Sequence, residues 1–106
     1  GLADSRLSRA IVSMHETPGK TWKNEDLAEI AGLSISRFTE LFSQRVGQTA
    51  QSYLRHWRMI LACQDIERGD RIQTIAHRYG YGSSEALSRA FRRQFGNNPV
   101  SHRKRL

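Results

Sequence analysis

The sequence predicts an all-α fold of about seven helices, organised as two helix-turn-helix units joined by a long connecting helix. Apolar residues recur at spacings of three and four along most of the chain, and capping residues and glycines divide these stretches. No β-branched alternation reaches the length of a strand, and only two prolines, Pro18 and Pro99, interrupt the pattern. At 106 residues, the length fits a single domain.

Three helices are predicted in the first half. The first runs from Ser5 to Glu16 and stops at the Thr-Pro-Gly sequence that follows. Asn24 is expected to cap a short second helix, whose first turn carries two acidic residues. After a turn at Gly32, Ser34 caps a third helix that reaches about Arg45.

The second half begins with the longest predicted helix. Thr49 caps it and it ends at Gly69, so that about 19 residues give a length near 30 Å. Asp70 and Gln73 match a capping box that would open a short helix. Ser83 caps a further helix that ends before a glycine, and a last short helix is expected to begin at the second proline.

The chain contains an internal repeat. Each copy is a short helix, a glycine turn and a longer helix capped by serine, which is the pattern of a helix-turn-helix. The first unit is predicted over residues 1–48, the connecting helix over 49–69 and the second unit over 70–106. At an offset of 48, Leu27-Ala28 and Gly32-Leu33 match Ile75-Ala76 and Gly80-Tyr81; at 49, Ser34, Phe38, Phe42 and Val46-Gly47 match Ser83, Leu87, Phe91 and Phe95-Gly96.

The charge is strongly basic and unevenly placed. Lys and Arg number 17 against 10 acidic residues, a net charge of +7, and 14 of the basic residues are Arg. Residues 1–53 carry six charges of each sign, whereas residues 54–106 carry eleven basic and four acidic side chains. This composition indicates an anionic partner, because arginine forms forked contacts with phosphates and bases. Double-stranded DNA is the expected partner, since a connecting helix near 30 Å resembles the 34 Å between successive major-groove faces.

The stretch from Leu27 to Arg103, about three-quarters of the chain, resembles the DNA-binding domain of the AraC/XylS family of bacterial transcription regulators. The resemblance implies sequence-specific DNA binding, contact of activators with RNA polymerase, and an effector-binding domain elsewhere in a longer regulator. It departs from the family at its end, where His102 stands in place of a common tyrosine. The residues that carry it are Leu27-Ala28, Ala31-Gly32-Leu33-Ser34, Phe38, Phe42, Gly47, Tyr53-Leu54, Trp57-Arg58-Met59, Ala62, Ile75-Ala76, Gly80-Tyr81, Ser83, Phe91, Phe95-Gly96 and Pro99.

Helical phase predicts which side chains of the third helix contact DNA. With Ile35, Phe38, Leu41 and Phe42 on the buried face, the opposite face presents polar residues. Residues in the first half of a recognition helix approach base edges, and later ones approach phosphates. The base-contact candidates are Ser36, Arg37, Thr39 and Glu40, and the phosphate-contact candidates are Ser43 and Gln44. Glu40 is open to two interpretations, a hydrogen-bond acceptor for cytosine or a carboxylate that faces solvent or pairs with arginine.

The same phase calculation applies to the helix capped by Ser83. Leu87, Ala90, Phe91 and Phe95 are expected to be buried. Arg89 is the best candidate for a guanine contact, because bidentate arginine is the commonest specific contact in the major groove. The base-contact candidates are Ser84, Glu85, Ser88 and Arg89, and the phosphate-contact candidates are Arg92, Arg93 and Arg103. Arg55 and Arg58 on the connecting helix are also phosphate-contact candidates, with surface or structural pairing as the alternative.

Other classes of function fit less well. The four histidines are scattered and Cys63 is the only thiol, so neither an enzyme active site, nor a metal site, nor a cofactor is expected. No apolar run is long enough for a transmembrane segment, so a cytoplasmic location and no membrane partner are expected. The chain is expected to be a monomeric fragment of a longer regulator. The remaining alternative is a basic helical module that binds an acidic protein.

Overall fold

The computed structural model describes residues 4–97 and 99, and within these the regular secondary structure is all helix, joined by turns and loops. This confirms the predicted all-α fold with two helix-turn-helix units and a long connecting helix. Of the last helix, predicted to begin at Pro99, only that first residue is described; the rest of it and the candidate Arg103 lie outside the described residues. The six helices are α1 (Ser5–Glu16), α2 (Asn24–Ala31), α3 (Ile35–Val46), α4 (Ala50–Glu67), α5 (Ile72–Arg78) and α6 (Ser84–Phe95).

The chain divides into two compact units, Gly1–Arg55 and His56–Leu106. The division falls within α4, so this helix contributes to both hydrophobic cores. Its first two turns place Ala50 and Leu54 in the core of the first unit. Its later turns place Met59, Ala62 and Ile66 in the core of the second unit.

In the first unit, three helices enclose the core. Each buries the residues that recur at spacings of three and four, as expected for amphipathic helices. Trp22 closes the core from the loop before α2, and its indole N–H donates a 2.9 Å hydrogen bond to the carbonyl oxygen of Thr17. The buried residues are Leu7, Ala10, Ile11 and Met14 of α1, Leu27, Ala28 and Ala31 of α2, and Phe38, Leu41 and Phe42 of α3.

The start of α2 differs from the prediction that Asn24 caps it. Lys23 is the N-cap residue, and the carboxylate of Asp26 accepts a 3.0 Å hydrogen bond from the Lys23 backbone N–H. Asn24 is the first helical residue, and its side-chain oxygen accepts a 3.1 Å bond from the Gln51 amide on α4. A tertiary contact therefore occupies the side chain that was expected to cap the helix.

The second unit packs α4, α5 and α6 around its own core. The short helix α5 begins after Arg71, and no side chain caps it, so the predicted capping box of Asp70 and Gln73 is wrong. The Asp70 carboxylate instead accepts a 3.0 Å hydrogen bond from the guanidinium of Arg78. The buried residues are Met59, Ala62, Ile66, Ile75, Ala76, Tyr79, Leu87 and Phe91.

Two apolar residues that were expected to be buried are exposed. Ile35 is 50% exposed because it is the first residue of α3, where side chains lean past the end of the helix. Phe95 is 39% exposed because it is the last residue of α6, and its ring lies against Phe91 at a centroid distance of 4.6 Å. Both errors have one cause: a helical phase calculation ignores where the helix itself begins and ends.

Candidate nucleic-acid interface

The turn of each helix-turn-helix has the same backbone geometry. Gly32 follows α2 with a φ of 71°, and Gly80 follows α5 with a φ of 81°, a region that glycine adopts without steric cost. In the first unit the Leu33 N–H donates to the Ala28 carbonyl at 2.9 Å. In the second unit the Tyr81 N–H donates to the Ala76 carbonyl at 2.8 Å. The sequence repeat at an offset of 48 is thus a structural repeat.

The helix that follows each turn is capped by serine, as predicted. The Ser34 hydroxyl accepts a 3.1 Å hydrogen bond from the Arg37 N–H, and the Ser83 hydroxyl accepts one of the same length from the Ala86 N–H. These bonds satisfy one amide of the first turn and fix where α3 and α6 begin. Hydrogen bonds between residues three positions apart therefore determine where each helix begins, and with it which residues lie on its exposed face.

The predicted DNA-contacting face of α3 is accessible. Its helical phase is fixed by the buried residues Phe38, Leu41 and Phe42. Because these side chains lie in the core, the polar residues between them are turned away from it. Ser36, Arg37, Glu40 and Gln44 are exposed, while Thr39 and Ser43 are half-buried.

Three of the four base-contact candidates on α3 already hold partners within the helix. Arg37 donates a 2.8 Å hydrogen bond to Glu40, which favours the interpretation of Glu40 as a paired carboxylate. Both side chains are more than half exposed, so this pair contributes at most about 1 kcal/mol. The Thr39 hydroxyl lies 3.0 Å from each of the carbonyl oxygens of Ile35 and Ser36, to which its single hydrogen is directed.

The exposed face of α6 carries more positive charge than the exposed face of α3. Arg89, Arg92 and Arg93 are exposed, and among the described residues none of the three forms an ion pair. Glu85 is exposed in the first turn, where the positive end of the helix dipole favours it. The remaining candidates, Ser84 and Ser88, are half-buried. The face of α6 therefore offers three arginine side chains to an anionic ligand, whereas α3 offers a neutralised pair in its first half.

The two candidates on α4 have different surroundings. Arg55 is exposed. Arg58 is half-buried, and this burial lowers the pKa of its guanidinium, while the nearby Tyr81 opposes the shift. Arg58 has a partner in the folded chain, which favours a structural role for it over a phosphate contact.

The second unit also has a concave surface that sequence reasoning missed. It has a volume of about 690 Å³ and lies between α5, the glycine turn and the start of α6. Its lining comes from Arg71, from α5, from the glycine turn and from the start of α6. Because Ile75 and Ala76 fix the buried side of α5, the opposite residues could have been recognised from the spacing alone. The lining residues are Arg71, Gln73, Thr74, Ala76, His77, Tyr81, Gly82, Ser83, Ser84 and Glu85.

A buried carboxylate holds α4 and α5 together in this unit. Asp65 is only 4% exposed, although it is charged. The Tyr79 hydroxyl donates to it at 2.5 Å, Arg78 donates at 2.6 Å, and Arg68 also forms a hydrogen bond with it. The sequence signal for this residue was its position beside Ile66, three residues after Ala62 on the apolar stripe of α4. It was missed because an acidic residue at the margin of a stripe is more often exposed.

Other chemistry-bearing groups in the described residues are dispersed. Burial raises the pKa of the Cys63 thiol, with a further contribution from Glu67, so it carries less thiolate than an ordinary cysteine. No three His, Cys, Asp or Glu side chains in residues 4–97 and 99 are grouped closely enough to hold a metal ion. Over the same residues, the helices are too short or too polar to cross a membrane.

The fold and the site define a class of helical domain in which two helix-turn-helix units each expose a serine-capped second helix. A family model described as a helix-turn-helix domain matches residues 27–105. The chain belongs to this family, the AraC-type DNA-binding domains of transcription regulators. This confirms the resemblance drawn from the residue pattern.

Similar proteins are found among both sequences and structures. The chain is 39% identical over 103 residues to the HTH-type transcriptional regulator AlkR of Acinetobacter baylyi, covering 96% of the chain and 34% of AlkR. It is 36% identical over 106 residues to the RCS-specific HTH-type transcriptional activator RclR of Escherichia coli, covering 99% of the chain and 37% of RclR. The DNA-binding domain of AdpA, a global transcriptional factor solved in complex with a target DNA, matches with a TM-score of 0.86 and 28% identity, covering 94% of this chain and 91% of that one. The chain spans about a third of the length of the curated relatives it matches.

Proposed function

We propose that this chain binds double-stranded DNA sequence-specifically, with α3 and α6 as recognition helices in the major groove. The observation that carries the proposal is the pairing of a repeated turn geometry with exposed, serine-capped second helices in both units. The basic face of α6 supports it, because a row of unpaired arginines matches the phosphate and base acceptors of a duplex. The similarity to the DNA-bound domain of AdpA supports it as well.

In this proposal, the residues of α6 divide by their distance from the start of the helix. Arg89 reads a guanine, and Ser84, Glu85 and Ser88 lie near the same base pairs. Arg92 and Arg93 come one turn later and bind phosphates. The second unit then supplies most of the affinity and most of the salt dependence, since it carries the excess positive charge.

In the first unit, Ser36, Arg37, Thr39 and Glu40 face base edges, and Ser43 and Gln44 approach the sugar-phosphate backbone. The Arg37–Glu40 pair is weak enough to rearrange on a polyanion. Because Glu40 would otherwise repel phosphates, the pair also limits the electrostatic cost of placing a carboxylate in the groove. We therefore assign this unit to discrimination between sequences more than to affinity.

We propose that the two helices occupy successive major grooves. The 18 residues of α4 form a helix about 27 Å long, which is comparable to the spacing of those grooves. Selection of bound sequences from random duplexes tests it. Two conserved half-sites about 10 base pairs apart are expected, and a single half-site would contradict it.

The properties of the longer protein are part of the proposal. We infer that the chain is the DNA-binding part of a cytoplasmic, effector-responsive regulator, monomeric by itself, whose activator function would include contact with RNA polymerase. The support is the share of each relative that it matches, about a third. Bacterial two-hybrid assays against polymerase subunits test the polymerase contact, and sedimentation tests the oligomeric state.

Titration with duplex DNA at several salt concentrations is the central test. Log K is expected to fall linearly against log salt, with a slope set by the number of phosphates contacted. Specific duplex should bind more tightly than a scrambled duplex of the same length at every salt concentration. A chain that ignores duplex DNA at low salt but binds an acidic protein would instead be the basic protein-interaction module.

A further inference from the structure

We propose that Ile35 is a specificity-determining residue, reading the C5-methyl group of a thymine in the half-site bound by the first unit. This inference rests on the proposed function and goes beyond it in naming the base, the atom and the residue. Helical phase predicts that Ile35 is buried in the core, but the residue is 50% exposed.

The location of Ile35 on α3 is more informative than its exposed fraction. Ile35 is the first residue of α3, directly after the Ser34 cap, in the part of a recognition helix that approaches base edges. Val12 on α1 is exposed to the same extent, 51%, but it does not lie on a second helix of either unit. A single exposed aliphatic side chain is ordinary on a protein surface, and Ile35 differs by being on the proposed DNA-contacting helix.

The side chain of Ile35 carries no hydrogen-bond donor or acceptor, so an apolar group of a base is the ligand that matches it. Thr39, one turn after Ile35 on the same face, directs its hydroxyl hydrogen to backbone carbonyl oxygens. Thr39 can therefore offer a base its methyl group and an acceptor lone pair, but cannot donate without losing its present bonds. Ile35 and Thr39 together present aliphatic surface at one edge of the helix.

Only one base offers an apolar group to the major groove. The methyl group at C5 of thymine lies there, whereas the other bases present hydrogen-bond donors and acceptors. Burying this methyl group against Ile35 removes apolar surface of both partners from water. The second unit has Ser84 at the matching position of the repeat and the unpaired Arg89 beyond it. The two units are thus built to read different bases, thymine in the first and guanine in the second.

Thymine-to-deoxyuridine replacement tests this without changing a hydrogen bond. Each thymine of the selected half-site is replaced singly by deoxyuridine, which lacks only the methyl group, and the Kd is measured at fixed salt. At one position the replacement should weaken DNA binding by the wild-type chain about fourfold, which is the loss of affinity expected for one buried methyl group. The Ile35→Ser variant carries the residue that the second unit has at the matching position, Ser84. It should bind the thymine duplex more weakly than wild type, and its Kd should not change when that thymine is replaced by deoxyuridine.

The control is Val12→Ala, a truncation of an equally exposed aliphatic residue, which should keep the full sensitivity to deoxyuridine. Ile35→Val keeps a branched aliphatic side chain and should retain most of the sensitivity to deoxyuridine. Equal sensitivity in wild type and Ile35→Ser, or a first half-site without thymine, would overturn the inference while leaving DNA binding intact. Loss of all duplex binding by the wild-type chain would instead contradict the proposed function.

Discussion

The phenolic hydroxyl of Tyr79 donates a 2.5 Å hydrogen bond to the buried carboxylate of Asp65. This contact joins the end of α5 to α4 in the unit that carries α6. Arg78 adds a second bond to the same carboxylate and a third to Asp70, so one network links α4, the loop before α5 and α5 itself. Within the described residues, the first unit lacks such a network, because Ile30 and Ala31 occupy the matching positions of the repeat.

Removing the charge of Asp65 should destabilise the second unit. Asp65→Asn weakens hydrogen bonds from Tyr79 and two arginines, and bonds to a charged group contribute about 1.5–3 kcal/mol each. We expect the free energy of unfolding to fall by about 2–4 kcal/mol, measured by urea denaturation. The matched control, Glu29→Gln on the exposed side of α2, should change it by less than about 0.5 kcal/mol.

A double-mutant cycle separates the Asp65–Tyr79 contact from the rest of the network. Tyr79→Phe and Asp65→Asn should be non-additive, with a coupling energy of about 1 kcal/mol or more, since the two side chains share one hydrogen bond. Additive effects in the same urea experiment would show that the contact contributes nothing by itself.

The ionisation of Tyr79 should be displaced to strongly alkaline pH. Burial, and next to it the hydrogen bond to Asp65, raise its pKa from the ordinary 10.0 to about 12. Because the folded-state pKa is the higher one, the stability that Tyr79 contributes is complete below pH 10.0 and is lost as the pH rises through about 12. Phenolate absorbance should contain a step near pH 12 that Tyr79→Phe removes. Unchanged absorbance titration in that variant would contradict the assignment.

The stability of the first unit should depend on the protonation of His15. Its ring stacks on Tyr53 at a centroid distance of 5.8 Å, and its Nε2 lies 2.8 Å from the Tyr53 hydroxyl. Burial lowers the pKa of His15 below the ordinary 6.5, so the folded chain favours the neutral imidazole. The contribution is complete above pH 6.5 and is lost as the pH falls through the lowered value. Urea midpoints should decline on acidification, and less so in His15→Gln. A parallel decline in both would assign the effect to other groups.

Arg89 should determine the preference at one base pair. Arg89→Ala is expected to weaken binding to the selected duplex by about 1–3 kcal/mol and to relax selectivity at a single position. Arg9→Ala, which removes an exposed arginine from α1, is the control and should leave the sequence preference unchanged. If Arg89→Ala kept the wild-type ratio of affinities for specific and scrambled duplexes, the base assignment would be wrong.

Arg92 and Arg93 should act differently, through phosphates. Each alanine substitution should weaken binding about equally for all sequences and reduce the slope of log K against log salt by about 0.9. The same substitution at Arg45, in the last turn of α3, is expected to change the slope less if the second unit supplies most of the electrostatic affinity. Equal reductions at both helices would contradict the proposed asymmetry.

Local chemistry made most of the secondary structure predictable. Ser34 and Ser83 cap their helices, and the glycines after α2 and α5 turn the chain, because these effects involve residues only a few positions apart. The accessible face of α3 was predictable for the same reason, since Phe38 and Phe42 fix its phase within the helix. The family was predictable because the same spacing of glycine turn and serine cap occurs twice in the chain.

The errors arose where a side chain interacts with a distant part of the chain. Asn24 bonds to Gln51 rather than capping α2, and Asp70 bonds to Arg78 rather than capping α5. In both cases a polar residue suited to a cap has a competing partner, on α4 for Asn24 and at the far end of α5 for Asp70. Sequence spacing gives the local option but not the geometry of its competitor.

The sequence by itself therefore determined the class of the protein: two capped helix-turn-helix units, a connecting helix, and an excess of positive charge confined to the second half. Only the tertiary structure decided which side chains at the margins of the helices are buried and which hydrogen bonds join one helix to another. It placed Asp65 inside the second unit and left Ile35 exposed at the start of α3. The physical reason is that helical period and capping act over a few residues, whereas burial and hydrogen bonding depend on where neighbouring helices begin and end.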